Sequence, residues 1–430
     1  GMRFIYCQAD SGAGIVRPQC PTVEPAAMQS NELPSLMHVR AFVRVADYGS
    51  VSKASEALFR AQSVVTRSIS ELEARLGVLL FERHANGMRL TDYGTRLLPR
   101  ARRVLAELDS VPHLLNGTDK ARTEPLYLFQ ARRLQVFVKL CETHHMQTVA
   151  SLLGLSQPAI SSTLKVLESG CGHTLFERTP RGLLPTRASL DILFPVRRAL
   201  NELRHIDTDI SALQGTLQGV VQVGALPLGR TRILPEAIVR LMAEHPGIQV
   251  ITNESPFDLL ATELRAGDVD FIFGALRSTA YASDLSGEAL LTEEMVVLAR
   301  RGHPLYSKST VQAELADAQW VLPRAGSPAR HMLDDCFTAF GIAPPRPMVE
   351  SGDMAIIRGL LLRSDMLAAV SAHQLEAEIA SGELCILPLE LRHTSRAIGL
   401  TSRTASLHSP VAKALMDVIR QVIQEQRQPV

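Results

Sequence analysis

Residues 79–91 read LLFERHANGMRLT, and residues 174–186 read TLFERTPRGLLPT. A repeat of this kind bounds the fold more tightly than any composition figure, because both copies must build the same supersecondary unit. At an offset of 95 the match runs without a gap. Phe42 falls on Phe137, Leu58 on Leu153, Gln62 on Gln157, Leu72-Glu73 on Leu167-Glu168 and Gly77 on Gly172. The two LFER runs superpose, Gly87 falls on Gly182, Thr91 on Thr186, Arg102-Arg103 on Arg197-Arg198 and Glu107-Leu108 on Glu202-Leu203. Two unrelated amphipathic segments would not hold register from Phe42 to Leu108.

Each copy opens with an apolar-periodic helix, LMHVRAFVRVADYG or LQVFVKLCETHH, and a short helix, VSKASEALF or MQTVASLLG. A third helix follows, SVVTRSISELEARLG or PAISSTLKVLESG. In the first copy Val64, Ile69, Leu72 and Leu76 are expected on its core face, with Gln62, Ser63, Thr66, Arg67 and Ser70 opposite. In the second, Ser156 suits an N-cap and Pro158 the first turn, where its missing N–H is not needed. Each LFER run predicts a short strand, a loop holding Gly87 or Gly182, and a returning strand. The order is helix, helix–turn–helix, wing, and a polar N-terminal face on the third helix is what a major groove accepts. The candidate DNA contacts are therefore Gln62, Ser63, Thr66 and Arg67, and Ser156, Gln157, Pro158 and Ser161. Gln and Arg can reach base edges, and Ser and Thr can reach phosphates or either base. Arg83, Arg89, Arg178 and Arg181 on the wings are expected near the backbone.

Charge follows the same division. Residues 36–115 carry 12 Lys and Arg against 8 Asp and Glu, and residues 116–218 carry 12 against 9. Residues 219–430 carry 19 against 24, which makes that half acidic although the whole chain nets +1. A basic half joined to an acidic one suggests a polyanion-binding module attached to something else. The 430 residues allow about two to four domains. No apolar run approaches the roughly 20 residues a membrane helix needs. The head, residues 1–33, is rich in Gly, Pro and Ser and reads as disordered, with no signal-peptide pattern. Gly1 before Met2 reads as an expression scar, and a natural start at Met28 or Met37 is expected. Six scattered cysteines with no Cys-x-x-Cys pair argue against a zinc site or a disulfide framework and fit a reducing cytoplasm.

These segments resemble the winged helix–turn–helix of LysR-type transcriptional regulators, whose recognition segment resembles S-Q-P-A-[IV]-S and whose wing resembles L-F-E-R-x-x-R-G-x-x-x-T. The second copy, SQPAISSTLKVLE followed by LFERTPRGLLPT, fits closely. The first, AQSVVTRSISELE, lacks the Pro and the capping Ser and carries Arg67 where the second has Ser162. Either both copies read DNA, or one has become a structural or dimerisation domain. After each wing comes a long helical pattern, and the resemblance implies a linker helix that pairs with a partner's. The second spans about 27 residues, roughly 40 Å of helix. Pro99 and Pro195 are expected to kink or interrupt these helices.

From Gly219 the pattern alternates: GVVQVGALP as strand, ILPEAIVRLMAEHPG as helix, IQVITNE as strand, PFDLLATELRAGD as helix and VDFIFGAL as strand. Such alternation implies parallel β with crossover helices. The wording HPGIQV, LRAGDVDF, RGHPL and WVLPRAGSPAR is similar to the effector domain of the branch named for the galactose-binding-protein regulator. Ligands in such folds lie outside the carboxyl ends of strands, near helix N-termini. The candidate effector contacts are therefore Leu226, Pro227, Ser255, Pro256, Arg324, Ser327, Arg330 and Ser351. Each Ser also reads as an ordinary helix cap.

The expected fold is multidomain: two mainly-α winged helix–turn–helix domains with linker helices, then a two-lobe α/β effector domain like a periplasmic binding protein. The expected bounds are 1–33 for the head, 34–115, 126–214 and 219–425, with lobe crossings near 299–303 and 390–396. No Gly-x-Ser-x-Gly elbow, Walker loop or GxGxxG appears, and the His residues lack metal spacing, so no enzyme, metal or cofactor is expected. His144-His145 reads as a surface turn. The chain reads as a cytoplasmic regulator that binds double-stranded promoter DNA and a small acidic or sugar-derived catabolite. A homodimer or homotetramer, RNA polymerase contact and no membrane are expected. The alternative is a DNA-binding protein whose first copy is an interaction module and whose effector domain no longer senses a ligand.

Overall fold

The first LFER segment is built from three helices, α1 (Leu36–Tyr48), α2 (Val51–Leu58) and α3 (Gln62–Leu76), then a hairpin of β1 (Phe81–His84) and β2 (Gly87–Leu90), and the long α4 (Asp92–Asn116). The second is built from α5 (Ala131–Thr143), α6 (Met146–Leu153), α7 (Gln157–Cys171), β3 (Phe176–Thr179), β4 (Gly182–Pro185) and α8 (Arg187–Leu213). Every boundary from the start of α1 to the end of β2 recurs 95 residues later. This computed structural model describes residues 33–84, 87–117, 124–180, 182–277, 283–307 and 314–427. The expected disordered head, the start at Met28, Cys7, Cys20, Arg181 and most of the boundary at 116–125 lie outside the described residues.

The shared boundaries have local causes. Gly49 (φ 63°) and His144 (φ 65°) both turn left-handed to end the first helix of each copy, so the His144-His145 pair does sit at a turn. Gly77 and Gly172 end α3 and α7 the same way. The core face of α3 differs from expectation by one residue. Val65 is buried and Val64 is 49% exposed, so the buried face is Val65, Ile69, Leu72 and Leu76. These positions follow one 3.6-residue stripe, which Val64 leaves by about 100°. Val64 instead joins Gln62, Ser63 and Arg67 on the solvent face. The prolines do not interrupt the helices. Helix α4 runs through Pro99 and Pro112, and α8 runs through Pro195. An interior proline costs about 3 kcal/mol. The long buried faces of both helices offset that cost.

The acidic half forms two sheets. The first has the order β6 (Ile248–Asn253), β5 (Gly219–Ala225), β7 (Phe271–Ala275), β14 (Arg396–Arg403), β8 (Leu285–Glu293). Its strands β5, β6 and β7 are parallel, as the alternation requires. Helices α9 (Ile233–Glu244) and α14 (Pro410–Arg427) cover one face, and α10 (Phe257–Ala266) packs near Leu226 and Ile272. The second sheet has the order β11 (Val349–Glu350), β10 (Trp320–Leu322), β12 (Leu367–Ser371), β9 (Met295–Arg300), β13 (Leu384–Ile386). It packs against α11 (Pro328–Ala339) through Trp320 and Phe337, and against α12 (Met354–Leu361), with α13 (Glu376–Ala380) beside it. The chain enters the second sheet at Glu294, between β8 and β9, not at 299–303, because β9 already pairs with β12. It returns between β13 and β14, where the crossing at 390–396 was expected. Among the described residues, no helix is long and apolar enough to cross a membrane.

Candidate nucleic-acid interface and effector cleft

Each wing is held by the same three contacts. Glu73 Oε1 accepts from the Leu80 and Phe81 N–H groups at 2.7 and 3.2 Å, and Glu168 Oε1 accepts from those of Leu175 and Phe176 at 2.8 and 3.3 Å. Thr91 and Thr186 donate to the carbonyls of Leu79 and Thr174 at 2.7 and 2.8 Å, while capping α4 and α8. Gly87 (φ 130°) lies so close to the α1–α2 turn that a Cβ there would sit 2.4 Å from the Gly49 carbonyl oxygen. Gly182 (φ 118°) meets the His144 carbonyl in the same way, at 2.5 Å. The motif residues Glu, Gly and Thr thus bind each hairpin to its own helices.

The candidate DNA contacts all lie on or just before the third helix of each segment, with two differences between the segments. On α3, Gln62, Ser63 and Arg67 are exposed and Thr66 is half-buried. On α7, Ser156, Gln157 and Pro158 are exposed and Ser161 is half-buried. Ser156 Oγ caps α7 at the Ala159 N–H, at 3.4 Å, whereas Ala61 leaves α3 uncapped by a side chain. Gln62 instead donates to Ser52 Oγ at 3.0 Å, which orients it toward α2. Arg67 pairs with Glu71 one turn on, at 2.6 Å, in an exposed bridge that a phosphate or base could replace. Arg83, Arg89 and Arg178 are exposed on the wings, and among the described residues they make no ion pair. Two helix N-termini and two Arg-bearing hairpins on basic segments can bind a polyanion.

The effector candidates fare unevenly. Pro227, Ser255, Pro256 and Arg324 are exposed or half-exposed beside the carboxyl ends of their strands. Leu226 is buried against Phe257 and Leu260 and is core. Ser327 caps α11 at the Arg330 N–H, 3.2 Å. Arg330 is committed to Asp334 at 2.9 Å and Glu350 at 3.4 Å, so it offers no free guanidinium. Ser351 is buried and accepts from the Asp353 N–H at 3.1 Å; Asp353 itself caps α12 at Ala355 and Ile356. A carboxylate of the chain already occupies the anion position there.

The sequence reading missed a different set of residues. Strand β14 pairs antiparallel with β7, Ile398 opposite Ala275, so Arg396 falls opposite Arg277 just beyond the carboxyl end of β7. Arg277 lies 4.9 Å over the Phe257 ring at the start of α10. Burial, with the Arg277 charge beside it, holds the Arg396 guanidinium below the usual arginine range. Two half-buried guanidiniums are thus cross-strand neighbours at this end of the sheet. Arg230, lowered by burial, closes the adjacent edge by donating to the carbonyls of Ala225 and Glu254 at 2.6 and 2.7 Å. The lobes are bridged nearby by Arg232–Glu376 at 2.6 Å, Gln374 to the Pro227 carbonyl at 3.3 Å, and Ser371 to Glu293. A cleft of about 380 Å³ lies beside those bridges, lined by Thr231, Arg232, Glu293 and His373 among others. Only the chain's return at β14 brings residue 396 to residue 277, which no local pattern shows.

Two helix–turn–helix and hairpin segments joined to a two-lobe α/β half define the class of DNA-binding transcriptional regulators. The sequence pattern of the bacterial regulatory helix-turn-helix protein, lysR family, matches residues 36–95 and 131–189, and that of the LysR substrate binding domain matches residues 214–424. The chain belongs to the LysR family of transcriptional regulators. It is 72% identical over 395 residues to the HTH-type transcriptional regulator GalR of Pseudomonas putida, covering 92% of this chain and 99% of that protein. It is 28% identical to the HTH-type transcriptional regulator GbpR of Azospirillum brasilense, over 67% of this chain and 85% of that one. Full-length CbnR, solved in complex with its target DNA, shares the fold with a TM-score of 0.51 at 22% identity, over 68% of this chain and 99% of that one.

Proposed function

We propose that both segments, 34–115 and 126–214, are copies of one winged module and that both read promoter DNA. A periplasmic-binding-protein-like half, residues 219–425, senses a small anionic effector in the cytoplasm. The observation that carries the DNA reading is the retention in both copies of an exposed polar start to the third helix, Gln62 with Arg67 and Ser156 with Gln157, beside a wing held by the same Glu, Gly and Thr contacts. A copy kept only for packing has no need of an exposed Gln and Arg face. The facing Arg277 and Arg396 support a carboxylate or similar anion, ahead of a neutral sugar.

Helix α10 supplies the route between the two activities. Phe257 at its start lies under Arg277, and its far end meets the linker helix: Asn201 donates to the Ala266 carbonyl at 3.2 Å and to Asp268 at 2.8 Å. An anion that draws Arg277 changes the seat of α10, and hence of α8, if it binds the two arrangements with different affinity. The test is a footprint on the promoter region of its own gene, with and without small carboxylates that raise the melting temperature. Arg67→Ala and Gln157→Ala are each expected to shrink protection, at different positions. Arg396→Ala is expected to retain the footprint and lose the carboxylate-induced change. Unchanged protection in either recognition variant rejects the reading for that copy; carboxylate response in Arg396→Ala rejects the anion site.

A further inference from the structure

The two linker helices lie against each other within one chain. On α4 the buried positions Leu97, Ala101, Val104, Leu108 and Val111 step by four and three residues, the heptad spacing of a helix-pairing seam. On α8 the seam is Ile192, Val196, Ala199, Leu203 and Ile206, each 95 residues after its counterpart. Charged pairs flank the seam reciprocally. Arg198 on α8 binds Glu107 on α4 at 2.7 Å, and Arg103 on α4 binds Glu202 on α8 at 3.3 Å. Arg103 corresponds to Arg198 and Glu107 to Glu202 in the repeat. A contact in which i meets j and the counterpart of i meets the counterpart of j is the mark of a two-fold interface. Farther along, Arg75 on α3 binds Asp207 on α8 at 2.7 Å, and His173 after α7 meets Asn116 at the end of α4 at 3.2 Å, so each winged module touches the other copy's linker helix.

The pseudo-symmetry breaks where the single effector half is attached. Arg100 is fully buried and binds both Glu202 and Asp209, with its Nη1 3.5 Å from the Leu407 carbonyl. Its repeat counterpart is Pro195, which carries no charge. Arg103 also donates to the Ala405 carbonyl.

We infer that α4 and α8 form one linker-helix pair closed inside a single chain, and that one chain therefore reads an operator of two unlike half-sites in a fixed order. This inference rests on the proposal that both modules read DNA. A homodimer presents identical heads and matches a palindrome. Here the heads differ: Val64 and Arg67 on one stand where Ala159 and Ser162 stand on the other. The second head is delivered at the effective concentration of a tether, so occupancy of both half-sites needs no second chain. With α8 on its seam, α4 has no buried stripe left for another molecule. Further association of chains then falls to other surfaces.

The test uses the full-length chain carrying Glu107→Cys and Arg198→Cys, treated with a short bis-maleimide and read by denaturing gel and peptide mass. The expected product is a 107–198 link at monomer mass. A link found at dimer mass overturns the intrachain pair, whatever the DNA result. The same question is put without cysteine chemistry by charge reversal. Glu107→Arg and Arg198→Glu in one chain should restore DNA binding lost in each single variant, while a co-expressed mixture of the two single variants should not. Recovery in the mixture overturns the pair. On DNA, an operator in which either half-site is copied onto both sides should bind about tenfold or more weakly than the native one. Equal binding of a symmetrised operator, with the monomer-mass link intact, overturns the ordered reading and counts against the first or second head as a DNA reader.

Discussion

His205 on α8 and Asp270 before β7 sit 3.4 Å apart, largely shielded from solvent where the linker helix meets the effector half. Burial, then the charges of Arg100 and Arg204, pushes His205 down to about 3, and burial pushes Asp270 up to about 7 against a bond from the Gln222 N–H. Between the ordinary values of 3.8 and 6.5, the folded pair keeps its proton on the carboxyl and the unfolded chain keeps it on the imidazole. The proton counts match, so the pair adds no slope to stability in that window. Removing one partner uncovers the other. Asp270→Asn leaves a histidine with a depressed folded value, whose contribution is present above pH 6.5 and lost as pH falls toward 3. His205→Asn leaves a carboxyl with a raised folded value, whose contribution is full below 3.8 and lost as pH rises through about 7. Urea midpoints at pH 5 and pH 7 should therefore move in opposite directions in the two variants relative to wild type; movement in one direction refutes the account. Neither residue was legible as special in the sequence, since each is an ordinary letter on an amphipathic element.

At the scale of elements, the winged units were legible because their causes are local. Left-handed turns at Gly49 and Gly77, the Glu73 and Glu168 bonds to the next strand, and the Thr91 and Thr186 caps all act over a few residues. The one-residue error at Val64 is of the same origin: two adjacent valines both suit a core face, and only packing selects Val65. The wing glycines allow a sharp test. Gly87→Ala must place a methyl at φ 130° and 2.4 Å from the Gly49 carbonyl oxygen. A strained position of that kind costs about 1–3 kcal/mol. The hairpin should therefore detach, shrinking the footprint on the side that Arg67→Ala affects and leaving the other side protected. An unaltered footprint would mean that the wing takes no part in binding.

For the whole molecule, Arg100 is the point where both winged segments and the effector half meet. Taking away one partner of a buried ion group costs about 3–5 kcal/mol, because the remaining charges stay buried. Arg100→Ala leaves Glu202 and Asp209 facing each other, and should lower the urea midpoint accordingly and far more than Arg96→Ala one turn away. A loss no larger than that of Arg96→Ala would show that the cluster is not closed in solution. By itself the sequence determined the helix and hairpin order of both LFER segments, the α/β character of the acidic half and the regulator class. Those rest on turns, caps and periodicities that act within a few residues of one another. Only the tertiary structure decided that α4 pairs with α8, that Arg396 faces Arg277, and that Arg100 is shared between acids 102 and 109 residues away. Periodicity states that a face is buried, but the partner that buries it is selected by the packing of the whole chain.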